Sequence, residues 1–354
     1  MRLRHCWIPA FAGMTVFGLG LWAKLTLAIA ATCCLWAGTI RAEEVVIYTA
    51  HDAMFSRPIL DDFETQSGIN VRVAYDTEAS KTTGLVNRLI AEKNNPRADV
   101  FWNNEVAQSI VLKERGILEA YHSPTAEGIP KLFKDADGYW TGFAARARVL
   151  IYNTDLVAEP PSSIFELTEP QWRGQVGIAL PLFGTTATHA AALFAGLGDE
   201  KARDWFEALK ANDAKILNGN ATVKNRVADG EIKIGLTDTD DANAAVQDGK
   251  PTKWLFLDQD EGQLGTLVIP NSVCLIKGGP NPEAGKKLID YLISAEVEER
   301  HARSRSMQMP LQKDAKVPEN IPCVKDIRPM QVDFQVVAAR MGDTARYIQE
   351  QFAR

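Results

Sequence analysis

Val45 to Thr49 is a run of apolar character that breaks sharply at Ala50-His51-Asp52-Ala53, after which Ile59, Leu60 and Phe63 recur at helical spacing up to Gly68. That order predicts a strand, a polar loop and a helix closed by a glycine C-cap. Ile69, Val71, Val73 and Tyr75 alternate as in a strand, and Asp76 to Lys81 leads to a helix carrying Leu85, Leu89 and Ile90, with Ser80 as its N-cap. Ala98 to Trp102 is a third strand ending in Asn103, Asn104 and Glu105, and the helix Val106 to Glu114 is closed by Gly116. Three strand-loop-helix units in succession predict a doubly wound parallel sheet with right-handed crossovers. His51, Lys81 and Glu105 then fall on one edge of it.

From Tyr139 to Asn153 the pattern changes: small residues flank Arg146 and Arg148, and the strand Val149 to Tyr152 follows. This suits a strand that leaves one lobe, crosses a cleft and enters a second. Residues two apart share a side of a strand, so Arg146 and Arg148 point the same way. They either fork a carboxylate, carbonate or phosphate in the cleft or pair with surface acids. Val176 to Leu180 is a strand, and Gly184, Thr185 and Thr186 precede a small-residue helix, His189 to Leu197, like an anion-binding helix N-terminus. Lys215 to Leu217 is followed by Asn218, Gly219, Asn220 and a helix from Ala221 to Ala228.

Ile232, Ile234 and Leu236 then form a strand whose carboxyl end carries Thr237, Asp238, Thr239 and Asp240 before a helix, Asp241 to Gln247. Ligands of open α/β sheets sit at such ends. The same residues are also preferred helix N-caps, and the pattern alone serves both roles. After a strand Trp254 to Leu257, the segment Gly265 to Ile276 reads as the return crossing, with Pro270 and Asn271 at or near a hinge. Helices Pro282 to Ile293 and Ala295 to Arg303 follow, and Gln331 to Phe352 reads as an amphipathic helical pair.

At the amino end, Lys24 precedes an uninterrupted apolar segment from Leu25 to Gly38, too short for a comfortable membrane span. It reads as a secretory signal peptide, residues 1–42, cut after Ala42, with Met14 as an alternative start and the periplasm as destination. Removal takes away Arg2, Arg4, Lys24 and Arg41, so the net charge goes from −6 to −10. An acidic chain argues against nucleic acid and anionic lipid as partners. The roughly 312 residues left exceed one ordinary core and suggest two α/β lobes in a monomer: 43–144, 145–268, a return over 269–310, and a C-terminal helical segment over 311–354. Cys274 and Cys323 remain, as one disulfide or as two thiols.

Taken together, Val46-Ile47-Tyr48-Thr49-Ala50-His51, Ala98-Asp99-Val100-Phe101-Trp102-Asn103-Asn104-Glu105, Gly142-Phe143-Ala144-Ala145-Arg146 and Asn281-Pro282-Glu283-Ala284-Gly285 resemble a periplasmic solute-binding protein of an ABC importer, in the branch of the ferric-iron-binding proteins. The resemblance spans residues 44 to 310. It implies a two-lobed clamp, each lobe a mainly parallel sheet flanked by helices, that closes on one solute and presents it to a membrane permease served by an ATPase. It also implies His51 and Glu105 as two ligands of Fe(III). The family's tyrosine pair is missing: Thr237, Asp238, Thr239 and Asp240 stand where it would follow the strand. Carboxylates are hard oxygen donors, so His51, Glu105, Asp238 and Asp240 form a candidate iron set, with a synergistic anion. The alternative solute is a phosphonate or sugar phosphate held by Lys81, Arg146 and Gly184 to Thr186, with the aspartates on hydroxyls or an ammonium. Asn103, Asn220, Thr237 and Thr239 complete the candidate ligand-binding residues. No cofactor is implied beyond the transported solute. No G-x-S-x-G, H-E-x-x-H or C-x-x-C motif occurs, so an enzyme is the remote reading.

Overall fold

The computed structural model of the protein describes residues 43–76, 82–318 and 321–352. The expected signal peptide, Ser80 and Lys81 lie outside the described residues. The first three units are β1 (Glu44–Thr49) with α1 (Ala53–Ser67), β2 (Asn70–Tyr75) with α2 (Thr83–Ala91), and β3 (Val100–Asn103) with α3 (Ala107–Glu114). β1 pairs in parallel with both β2 and β3, as the repeated pattern predicts. Gly68, in the left-handed conformation at φ 70°, closes α1 by donating to the Glu64 carbonyl at 2.9 Å.

A short strand β4 (Leu118–Glu119) precedes β5 (Thr141–Asn153). The second set of units is β6 (Val176–Ala179) with α4 (Gly184–Leu197) and α5 (Asp199–Ala211), β7 (Lys215–Leu217) with α6 (Asn220–Ala228), and β8 (Ile234–Asp238) with α7 (Thr239–Gln247). β6 is parallel to both β7 and β8. β9 (Thr252–Leu255), β10 (Val268–Ile276), α8 (Pro282–Leu292), α9 (Ala295–Arg303) and α10 (Phe334–Phe352) complete the chain. The strand order is β2-β1-β3-β10-β5-β8-β6-β7, with β4 on β10 and β9 on β5.

The two parallel groups are joined by antiparallel crossing strands. β5 pairs with β10 from Thr141 to Ala147 and with β8 from Arg148 to Tyr152. Proline cannot donate to a ladder, and the β5–β10 register shifts where Pro270 stands, between Ile269 and Asn271. A third segment joins the crossing, because Ala145 and Met309 exchange backbone hydrogen bonds of 2.8 and 2.7 Å.

Three expectations are revised. α4 starts at Gly184, not His189, so Gly184, Thr185 and Thr186 are its first turn. α7 starts at Thr239, which puts Thr237 and Asp238 on β8 itself. The carboxyl-terminal pair is one helix of 19 residues, α10. Pro310, Pro318, Pro322 and Pro329 break the chain before it. α10 buries Phe334, Val337, Tyr347 and Ile348 and packs against both α3 and α4, so it straps the two parallel groups together. Cys274 is buried, Cys323 is partly exposed, and both are free thiols.

Candidate functional site

β6, β7 and β8 are parallel, so their carboxyl ends lie along one edge, and α4, α6 and α7 all begin there. None of the three helices has a side-chain cap. Phe183 and Gly219, at two of the N-cap positions, have no side-chain oxygen to offer. Asp238 at the third does, but its carboxylate is engaged elsewhere. In α7 the Asp241 N–H donates to Asp240 Oδ1 at 3.2 Å, so it is the first-turn N–H groups of α4 and α6 that are left for whatever occupies the space in front of them.

That space is a cavity of about 300 Å³. Its wall takes Asp52 and Asn104 from the loops after β1 and β3, Met54 and Phe55 from the first turn of α1, and Arg146 from the crossing strand. Phe183, Gly184, Thr185, Thr186, Asn220, Lys224, Asp238, Asp240 and Asp241 come from the second group, and Arg305 from the segment after α9. Both groups thus supply the wall. They also touch directly: Thr188 Oγ1 on α4 donates to Glu105 Oε2 at 2.9 Å.

Behind the wall lies a buried polar network. Arg148 Nη1 donates to Asp238 Oδ1 at 2.6 Å and to Asn220 Oδ1 at 3.1 Å. Asp238 Oδ2 accepts from Thr185 Oγ1 at 2.5 Å and from Asn220 Nδ2 at 2.9 Å. Thr186 Oγ1 donates to Asn220 Oδ1 at 3.2 Å. Each oxygen of Asp238 therefore has protein partners before any solute arrives, and its charge is matched by Arg148.

Arg146 is placed differently. Its Nη2 donates to Asn271 Oδ1 at 3.0 Å, lies 3.4 Å from His51 Nδ1, and is 3.5 Å from Asp240 Oδ2. Gln308, fully buried, accepts from the Nδ2 of the same Asn271 at 2.8 Å through its Oε1. Arg146 is buried yet reaches the cavity, with the Asp240 carboxylate beside it.

His51 and Glu105, the two ligands implied for iron, do not line the cavity. The His51 ring is buried against Phe55, Trp102 and His301, with centroids 5.1 Å apart for the Trp102 pair. Glu105 is fully buried and serves the α3 N-terminus: its carboxylate accepts from the N–H groups of Ala107 at 2.6 Å and Gln108 at 3.0 Å, and from Asn103 Nδ2 at 2.7 Å. Burial raises its pKa, and these hydrogen bonds oppose the rise. Of the four residues expected to hold iron, Asp238 and Asp240 line the cavity, whereas Glu105 serves a helix N-terminus and the His51 ring is stacked in an aromatic cluster. Asn103, Thr237 and Thr239 are likewise placed off the wall. Asn103 accepts from Thr82, Thr237 donates to the Asn220 carbonyl, and Thr239 Oγ1 accepts from the Ala147 N–H at 3.2 Å. Lys81 lies outside the described residues.

Among the described residues, one group has metal-ligand spacing: Asp238, Asp240 and Asp241, with oxygens within 4.8 Å of one another. Two guanidinium groups, Arg146 and Arg148, already face two of these three carboxylates.

Sequence reasoning passed over Asn104, Lys224 and Arg305 as site residues. Lys224 carried a usable signal, since it stands one helical turn after Asn220. Arg305 carried none, because a segment far along the chain brings it to the cavity.

A family model for bacterial extracellular solute-binding proteins matches residues 59–321. The chain belongs to that family. As a solute-binding protein it is 28% identical over 262 residues to Iron uptake protein A1 of Synechocystis, a match covering 71% of each chain. Iron-bound HitA from Pseudomonas aeruginosa superposes with a TM-score of 0.78 at 22% identity, covering 86% of this chain and 99% of that one. AfuA from Actinobacillus pleuropneumoniae, solved with fructose-6-phosphate, superposes at 0.77 and 23% identity, covering 88% and 98%. These two likenesses show the fold, that of a two-lobed periplasmic binding protein. No helix among the described residues is long and apolar enough to cross a membrane.

Proposed function

We propose that this solute-binding protein takes up a small organic anion bearing a phosphate or phosphonate group and delivers it to the permease of an ABC importer in the inner membrane. One observation carries the reading: the uncapped N-termini of α4 and α6 and the Arg146 guanidinium converge on one cavity of about 300 Å³. Helix N-termini and arginine both favour tetrahedral oxyanions. Lys224 and Arg305 add positive charge to the wall, and its acidic residues are matched to hydroxyl or ammonium groups on the rest of the solute. Met54, Phe55 and Phe183 give an apolar side on which a carbon skeleton packs.

A second reading, ferric iron, is favoured by the Asp238, Asp240, Asp241 cluster and by the relatives whose names refer to iron. It requires Asp238 to exchange Arg148 for the metal, since both its oxygens are already bonded.

Thermal unfolding of metal-stripped protein separates the two. Inorganic phosphate, glucose 6-phosphate, 2-aminoethylphosphonate, ferric citrate and ferric iron with carbonate are compared. A ligand at a hundredfold excess over its Kd adds about 2.7 kcal/mol, a visible rise in Tm. Stabilisation by a phosphorylated compound and not by iron is expected. Stabilisation by iron alone overturns the anion reading.

A further inference from the structure

Ala144, on the crossing strand β5, has φ 42°, a left-handed conformation uncommon for a residue with a Cβ. Both of its backbone polar groups are held by buried side chains from other segments. Its N–H donates to Glu298 Oε1 of α9 at 2.8 Å, and its carbonyl accepts from Asn271 Nδ2 of β10. The second oxygen of Glu298 accepts from the N–H groups of Leu311 and Gln312, which fastens the third crossing segment to the same point. Asn271 is fully buried at the β10 register shift, and its Oδ1 accepts from Arg146 Nη2 at 3.0 Å.

One planar amide therefore spends its donor group on the turn of the crossing strand and on Gln308 Oε1, at 2.8 Å, and its acceptor on the guanidinium two residues beyond Ala144. The two contacts lie on opposite corners of a rigid plane, so a change at Ala144 that tilts the amide also shifts the acceptor offered to Arg146. No charged side chain supplies both corners: an aspartate has no donor for the Ala144 carbonyl, and a lysine has no acceptor for Arg146.

We propose that Asn271 is the positioning residue that ties the setting of Arg146 to the conformation of the crossing strands, so that an anion is held firmly only while Ala144 keeps its left-handed turn. The proposal rests on the reading of Arg146 as the anion-binding cation.

The test uses Asn271→Leu, which removes both contacts at similar volume, and Asn271→Asp, which keeps the acceptor and removes the donor. Two quantities are measured: affinity for inorganic phosphate by calorimetry, and the 15N signals of the Arg146 guanidinium, assigned by their loss in Arg146→Lys. In the parent protein the two Nη nitrogens are expected to give separate signals. In Asn271→Leu they are expected to merge, with phosphate bound at least tenfold more weakly. In Asn271→Asp they are expected to stay separate while phosphate affinity still falls, because the new carboxylate neutralises Arg146. Unchanged phosphate affinity in Asn271→Leu overturns the proposal, and so does weakened binding with the Arg146 signals unaltered, which marks a merely structural role. If Asn271→Leu does not fold, unchanged phosphate affinity in Asn271→Asp overturns it. If the parent protein binds no phosphate but the signals merge in Asn271→Leu, the anion reading fails while the setting of Arg146 by Asn271 stands.

Discussion

Arg148 and Asp238 face each other at 2.6 Å with both side chains almost fully buried, and Arg148 Nε and Nη2 find no partner among the described residues. A buried pair of this kind is weak evidence of net stabilisation, but breaking it from one side is costly because the survivor is left charged and unmatched. Asp238→Ala is expected to cost roughly 3–5 kcal/mol in urea unfolding. Adding Arg148→Met should recover most of that loss, and a double variant as unstable as the single one would contradict the pairing. This residue-scale logic also explains what the sequence disclosed. A spacing of two put Arg146 and Arg148 on one side of β5. Which of them lines the cavity was not legible, because Asp238, Asn220 and Thr185 on three other elements engage Arg148. The place of Glu105 was illegible for a related reason: the loop after β3 is short, and the N–H groups at the start of α3 take up its carboxylate.

At the scale of elements, the strand-loop-helix units were readable from apolar runs and glycine stops, since each is built from local signals. The start of α4 was not, because Gly184 at φ 54° and two threonines read as a loop yet form its first turn. Two helices also carry a pH dependence. His189 on α4 and His301 on α9 are buried, and burial, aided by Arg148 and Arg146 respectively, pushes each down to about 3. Both are neutral when folded and regain an ordinary value near 6.5 when unfolded. The unfolded chain then binds more protons between about pH 3 and 6.5, so these groups lower stability as the pH falls through that window. Glu298 works in the opposite sense. Burial pushes its carboxyl up to about 7, so it lowers stability as the pH rises from its ordinary value toward 7. Replacing either histidine with glutamine should reduce the pH slope of stability between pH 4 and 6 by up to about 1.4 kcal/mol per pH unit, measured by urea unfolding at several pH values. An unchanged slope in both variants would mean that these imidazoles titrate normally in the fold. α10 offers a further check on the architecture. It buries an apolar face on α3 and α4 at once, so ending the chain after residue 333 should expose that surface and give a protein that aggregates or melts at markedly lower temperature. A truncated protein as stable as the parent would show that the strap contributes nothing.

For the whole molecule, three segments cross between two parallel groups of strands, and the cavity lies where loops from both groups meet the ends of β6, β7 and β8. A solute gripped from both sides favours the arrangement in which the groups are together, so binding and closure are one equilibrium. Micromolar affinity needs about 8 kcal/mol net, which calls for contacts from both groups at once. The overall plan was visible in the chain because strand-loop-helix order dictates where loops gather. The chemistry of the cavity was less so, because it depends on which polar groups the protein satisfies internally. The central claim is that Arg146 and two open helix ends form an anion site. Its most direct test is calorimetric titration of metal-free protein with glucose 6-phosphate and 2-aminoethylphosphonate, in the parent and in Arg146→Ala. One equivalent of one compound bound by the parent, with at least a tenfold loss in the variant, is the result expected; no binding of either compound, with one equivalent of ferric iron bound equally well by both proteins, would contradict it.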